Sequence, residues 1–281
     1  MKTIKKILLL SGVALLASCG NGTPIEPAAA NERLVKIQET LLSETYEAPE
    51  KVKMTSELSE ENGVEKNSAK TVVAYANDYI YASVSNELGT DKSTTEVWVY
   101  VEGSTVYAVM DDHNEVKGYG KIELGSPEEA SETFALTAAQ YGYGEKTQVL
   151  MSGLEIMLPL TQSVILIAQD IEGYLESEGL TSDKVSYDIE LASKNEGHLY
   201  AGFELKYTLE DGDDKCTEEI VMNSEFENYL PKSLDYSIVE TETFMEDGKK
   251  VTEKESMSLK ASFEYDFRMS KPDLSKFQLM E

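Results

Sequence analysis

The stretch EVWVYVEGSTVYAVM, Glu96 to Met110, decides the fold. Val97, Val99 and Val101 alternate with Glu96, Trp98, Tyr100 and Glu102, a period of two that puts aliphatic side chains on one face of a strand and aromatic or acidic ones on the other. Glu102-Gly103-Ser104 is a hairpin turn signal, and beyond it Val106, Ala108 and Met110 continue the aliphatic row. The unit is an antiparallel hairpin.

The same rhythm extends in the N-terminal direction. Ile80, Ala82 and Val84 alternate with Tyr79, Tyr81 and Ser83, and Val72, Ala74 and Ala76 with Thr71, Val73 and Tyr75. Turn signals at Glu61-Asn62-Gly63, Asn77-Asp78 and Gly89-Thr90-Asp91 divide the runs. Val52 to Leu124 therefore reads as an antiparallel meander with an aliphatic face, to which Val72, Ala74 and Ala76 are assigned, and an aromatic, partly polar face. A second strand-rich block spans Val185–Leu191, His198–Leu209, Cys216–Asn223, Leu234–Phe244 and Val251–Phe267. The blocks share a hairpin rhythm without residue identity, as in a pseudo-repeat.

Helical spacing appears in three places. Leu34, Ile37, Leu41 and Leu42 follow Asn31 as N-cap and stop before Pro49. Ser126-Pro127-Glu128-Glu129 sets a capping hydroxyl, a proline at the first helical position and early acids; that helix should reach Tyr141 and stop at Gly142. Leu160 to Glu178 presents Val164, Ile165, Ile167, Ala168, Ile171, Tyr174 and Leu175 as a wide apolar face, interrupted by Gln162, Gln169 and Asp170, which favours a buried helix over a membrane span. The fold class expected is α+β.

The N-terminus fixes a compartment. Lys2, Lys5 and Lys6 precede the apolar run Ile7–Leu16, which ends in Leu16-Ala17-Ser18-Cys19. This resembles the signal and lipobox of bacterial lipoproteins, which implies cleavage before Cys19 and membrane attachment through diacylglyceryl-Cys19 with palmitate-class chains, on the extracytoplasmic face of the cell membrane. A plain secretory signal with a coincident cysteine is the alternative. The expected layout is signal peptide 1–18, lipid-anchored tether 19–30 and a single domain 31–281, with the Gly, Pro and Ala content of Asn21–Ala30 read as the tether.

The net charge of −27 argues against nucleic acid and anionic lipid headgroups as partners, which leaves the acyl group to hold the surface. With Cys19 acylated, Cys216 has no disulfide partner and reads as a half-buried structural thiol. The two histidines, His113 and His198, lack ligand spacing to one another, and no G-x-S-x-G elbow occurs, so a non-catalytic protein without cofactor is expected. Asp111–Glu115 and Glu210–Asp214 are rich in oxygen donors but miss the EF-hand spacing. They read as turns, and no metal site is expected.

The candidate ligand contacts are Trp98 and Tyr100 on the aromatic row and Val164, Ile167 and Ile171 on the third helix. Cross-strand aromatic stabilisation is the ordinary role of such a row. The wall of an apolar cavity under the helices is the functional one.

The order helix, meander, two helices, meander behind a lipobox resembles the LolA/LolB-like lipoprotein-carrier superfamily, which includes the LppX/LprG-type lipoproteins. Within it, Glu96-Val97-Trp98-Val99-Tyr100 is similar to a W-x-Y strand of many members, and Asn228-Tyr229-Leu230-Pro231-Lys232-Ser233-Leu234 to a segment with a proline before a late strand. The resemblance implies a curved antiparallel half-barrel of two meanders, with the N-terminal helix and two central helices covering its concave side and acyl chains bound between. The function it implies is binding or handing over a lipid or other hydrophobic molecule. A lipid-anchored surface or accessory module of the cell envelope, without a small-molecule ligand, is the alternative.

Overall fold

The computed structural model describes residues 21–280 except 44, 64, 114–116, 141–145, 182–184, 212–213 and 247–248. The signal peptide, Cys19 and the expected helix stop at Gly142 lie outside the described residues. Among those described, thirteen strands form one open, mostly antiparallel sheet: β1 (Thr23–Pro24), β2 (Val52–Asn62), β3 (Glu65–Ala76), β4 (Tyr79–Leu88), β5 (Asp91–Glu102), β6 (Thr105–Asp112), β7 (Lys117–Glu123), β8 (Val185–Ser193), β9 (Leu199–Asp211), β10 (Asp214–Glu227), β11 (Leu230–Glu246), β12 (Lys249–Glu264) and β13 (Gln278–Leu279). Four helices complete the α+β fold: α1 (Pro27–Leu41), α2 (Pro127–Gln140), α3 (Lys146–Gln169) and α4 (Ile171–Ser177).

The sheet order is β1-β8-β9-β10-β11-β12-β2-β3-β4-β5-β6-β7-β13. Two meanders, β2–β7 and β8–β12, are therefore fused where β12 pairs with β2, from Glu255↔Asn62 to Glu264↔Lys53. The terminal segments close both edges: β1 pairs with β8, and β13 runs parallel to β7. Edge strands left bare would invite pairing with other chains. Gly63, Gly89 and Gly103 adopt positive φ at the hairpin turns read from the sequence.

All four helices contribute to cores on one face. Ala30, Leu34 and Ile37 of α1 and Leu154, Met157, Val164 and Ile165 of α3 pack with Leu199, Phe203, Phe226, Leu234 and Phe263. Ala130, Phe134 and Ala138 of α2 pack on Val73, Ile80, Val99 and Val106. Buried Thr161 and Ser224 share a 2.7 Å hydrogen bond that ties α3 to β10. The helix Val149–Gln169 is long and apolar enough to cross a membrane, yet its inner flank is buried in this core.

Several sequence expectations are corrected. The stretch read as a tether is part of the fold from Thr23 onward: α1 starts at Pro27, not after Asn31, because proline suits the first helical position and Ala28–Ala30 are strong helix formers. The helix expected over Leu160–Glu178 is two, since α3 begins at Lys146 and ends at Gln169, and the Asp170 side chain caps α4 by accepting from Gly173 N at 2.9 Å. Pro159 does not stop α3 because it lies on the exposed flank beside exposed Glu155, whose freed carbonyl can be hydrated. The assignment of Val72, Ala74 and Ala76 to the aliphatic face is inverted. Pairs Val73↔Ala82 and Tyr75↔Ile80 set the register, and Ala74 and Ala76 lie opposite Tyr81 and Tyr79 on the aromatic face.

Candidate functional site

The helices cover only one end of the strands. β2 is buried at Val52 and exposed from Glu57, β3 is exposed at Glu65 and buried from Val73 to Ala76, and β11 is buried at Pro231 and Leu234 and exposed at Glu242. Beyond α3 the helix-bearing face therefore lies open. Its residues form rows running across the strands by register.

The row nearest the helices is apolar: Phe203, Met222, Tyr236, Leu259, Leu58 and Ala69. The next begins with Leu205, Ile220, Ile238 and Met257 and turns polar at Glu60 and Asn67. The third sets Tyr207, Glu218, Glu240, Glu255, Asn62 and Glu65 side by side, and the fourth Leu209, Cys216, Glu242 and Glu253. An apolar floor thus passes into an acidic rim. A groove of about 460 Å3 lies between Ile238, Met257, Glu60, Glu240, Glu255 and Glu65, and another of about 580 Å3 between Leu209, Cys216, Phe244, Glu242 and Glu253. Leu58 and Met257 are 40% and 38% exposed, more than a filled core leaves open.

Charge on these strands is sorted by face. Apart from Lys249 at the tip, the lysines of β3, β9, β10 and β12 fall on the opposite parity, where Lys206 pairs with Glu219, Lys254 with Glu61 and Lys260 with Asp235. Among the described residues no ion pair reaches Glu60, Glu65, Glu218, Glu240, Glu242, Glu253 or Glu255. Glu218, Glu240 and Glu255 are direct cross-strand neighbours, an arrangement that destabilises a sheet unless something cationic or proton-donating faces it. Tyr207 OH donates to Glu218 Oε2 at 2.6 Å, and Cys216 Sγ to Glu240 Oε1 at 3.4 Å. Burial, the hydrogen bond to Glu240 and the surrounding carboxylates push the Cys216 thiol up to about 11. It is a protonated donor at neutral pH, in keeping with its reading as a structural thiol.

The residues chosen from sequence are not brought together. Val164 and Ile167 are buried in the core between α3 and the second meander, with Ile171 packed against it, while Trp98 and Tyr100 lie on the other face of the sheet. There Trp98 meets Tyr81 at 5.3 Å between ring centroids and Phe277 at 6.3 Å, and Tyr100 stacks on Tyr107 at 5.0 Å. Strand periodicity tells which residues share a face but not which face receives the helices. The small residues Ala130 and Ala138 fit α2 to the aliphatic row, and the C-terminal residues Leu274 and Phe277 cover the aromatic one. None of the five residues lines either groove. The acidic row that does was legible as a cluster: Glu218, Glu240, Glu242, Glu253 and Glu255 share strand parity with apolar neighbours while the lysines take the other.

No protein-family model matches the chain, and no curated protein is detectably similar to it.

Proposed function

We propose that the chain is a non-catalytic extracytoplasmic lipoprotein, held to the membrane through diacylglyceryl-Cys19, that binds a hydrophobic ligand on the open end of its sheet, with the sheet curving around the ligand as in the lipoprotein-carrier superfamily. The supporting observation is the continuation of the core's apolar rows past α3 into a floor of exposed Leu58 and Met257 and half-buried Ile238 and Leu259. An apolar floor with a few polar groups at its margin is the common form of a ligand site. The acidic rim selects within the class, since an alkyl chain with a neutral or cationic head is compatible with Glu240 and Glu255, whereas a fatty-acid carboxylate is repelled.

The test is displacement of a fluorescent alkyl probe from the purified chain. A long-chain alkylamine should displace it more strongly than the fatty acid of equal length, and Ile238→Asp or Met257→Asp should abolish probe binding without loss of the sheet's circular dichroism. Probe binding unaffected by either variant would overturn the site. Cys19→Ala should release the protein from the membrane fraction or leave it unprocessed, and unchanged retention with a normal mature mass would overturn the anchor.

A second reading, a protein-docking accessory module, is supported by a different surface. Leu136 of α2 and Ile156 and Leu166 of α3 are 70%, 44% and 54% exposed on the outer side of the helical layer. Aspartates at these three positions would leave probe binding intact and, on this reading, remove the protein from its envelope complex in cross-linked cells.

A further inference from the structure

On the face away from the helices, Glu96 of β5 and Asp111 of β6 are direct cross-strand partners. His113, just beyond β6, is held by its own N–H donating to Thr94 O at 3.2 Å. One ligating atom from each of the three lies within 4.8 Å of the others, and His113 Nε2 is 3.0 Å from Glu96 Oε2. Each residue also has the partners a ligand would keep. Tyr81 OH donates to Glu96 Oε1 at 2.6 Å, which orients that carboxylate and leaves Oε2 toward the histidine. Lys117 Nζ takes Asp111 Oδ2 at 2.8 Å.

The remaining oxygen, Asp111 Oδ1, is buried and has no hydrogen-bond partner among the described residues, on a side chain only 9% exposed. A buried carboxylate oxygen without a partner is costly, and here it stands beside a second carboxylate directly across the ladder. The contact between His113 Nε2 and Glu96 Oε2 leaves Asp111 Oδ1 unmet. A divalent cation answers both deficits.

We infer that Glu96, Asp111 and His113 form a binding site for one divalent transition-metal ion of the zinc class. One imidazole nitrogen and two carboxylate oxygens suit zinc, which takes three protein ligands and keeps a position for water. They suit calcium poorly, since it requires six or more oxygens. His113, with a side chain 43% exposed, gives the ion access from solvent, and Tyr81 is a positioning residue that fixes Glu96. The other convergent group, Cys216, Glu240 and Glu242, has no orphaned buried oxygen, and its thiol donates a proton to Glu240.

The experiment is titration of the purified full chain with zinc in excess magnesium, which occupies exposed carboxylates, followed by calorimetry. Nickel or copper serves as a quencher of Trp98, the single tryptophan, whose ring lies against Tyr81. Expected are one zinc per chain, quenching that zinc reverses, loss of both on His113→Gln and on Asp111→Asn, and about tenfold weaker binding on Tyr81→Phe. Substochiometric zinc binding, binding unchanged by His113→Gln, or displacement by calcium at equal concentration would overturn the site. Exposed His113 can be replaced without disturbing the sheet, and an unchanged circular dichroism spectrum separates lost binding from lost fold.

Discussion

Gly153 of α3 lies against the ring of Phe263 on β12, so that a β-carbon at Gly153 would overlap the ring's far edge. The helix approaches the sheet this closely at the strand that fuses the two meanders. Gly153→Ala sets a helix-propensity gain of about 1 kcal/mol against overpacking of roughly 1 to 3 kcal/mol. Because Phe263 is only 6% exposed and has little room to move, net destabilisation is expected in urea titrations. Gly153→Ala combined with Phe263→Leu should recover part of it.

Val164 is 1% exposed, with Ile165 fully buried beside it. Val164→Trp should therefore destabilise the protein by about 1 to 3 kcal/mol or more instead of filling a void. A variant that melts with the parent would show a cavity under α3.

Trp98 owes its burial to the C-terminal residues that cross the aromatic face. Phe277→Ala should red-shift its emission and lower the melting temperature, since the ring it meets edge-on would be gone. Hydrophobic ligands bound on the opposite face should leave that emission unchanged.

The Cys216 thiol, raised to about 11 chiefly by burial and then by its bond to Glu240, should react slowly with iodoacetamide at pH 8. Glu240→Gln should speed the reaction, while reductant should leave the melting temperature unchanged.

Glu225 gives a pH signature. Burial pushes its carboxyl up, but hydrogen bonds from Lys232 and from fully buried His198, with the charges of Lys232 and Lys194, outweigh that and hold it below the usual carboxylate range. A lowered native value means stability present above the ordinary carboxylate pKa and lost as pH falls through the native one. Glu225→Gln should flatten that part of the acid limb of a stability–pH curve and cost roughly 1.5 to 3 kcal/mol at neutral pH.

The hairpins were legible because their turns carry Gly103, Gly89 and Gly63 and their strands alternate cleanly. The fusion of β12 to β2 was not, since pairing between residues some 200 positions apart leaves no local trace. Asp170 was hard to read for a related reason: an acid that caps a new helix looks in sequence like an interruption within one. The open floor escapes a reading of the sequence because Trp98 and Tyr100 are conspicuous residue types, whereas the floor is made of ordinary Ile, Leu and Met. Only the register shows that these side chains run out from under α3.

The placement of β1 bears on how the protein stands on its membrane. Asn21 Nδ2 donates to Glu190 Oε2 at 3.1 Å and Ile25 N to Leu191 O at 2.8 Å, so a side-chain bond ties the chain to β8 two residues after Cys19 and the strand pairing itself begins at Thr23. Those two residues reach at most about 7 Å. With Cys19 acylated, the protein has no leash on which to swing, and the Ser193 end of β8 is its foot. The Glu218–Glu240–Glu255 row lies eight residues up β10 from Phe226 at that foot, roughly 25 Å away. On the proposed anchoring, that row stands clear of the headgroups its charge repels, and a ligand for the open floor would reach it from the side facing away from the membrane instead of from the leaflet beneath.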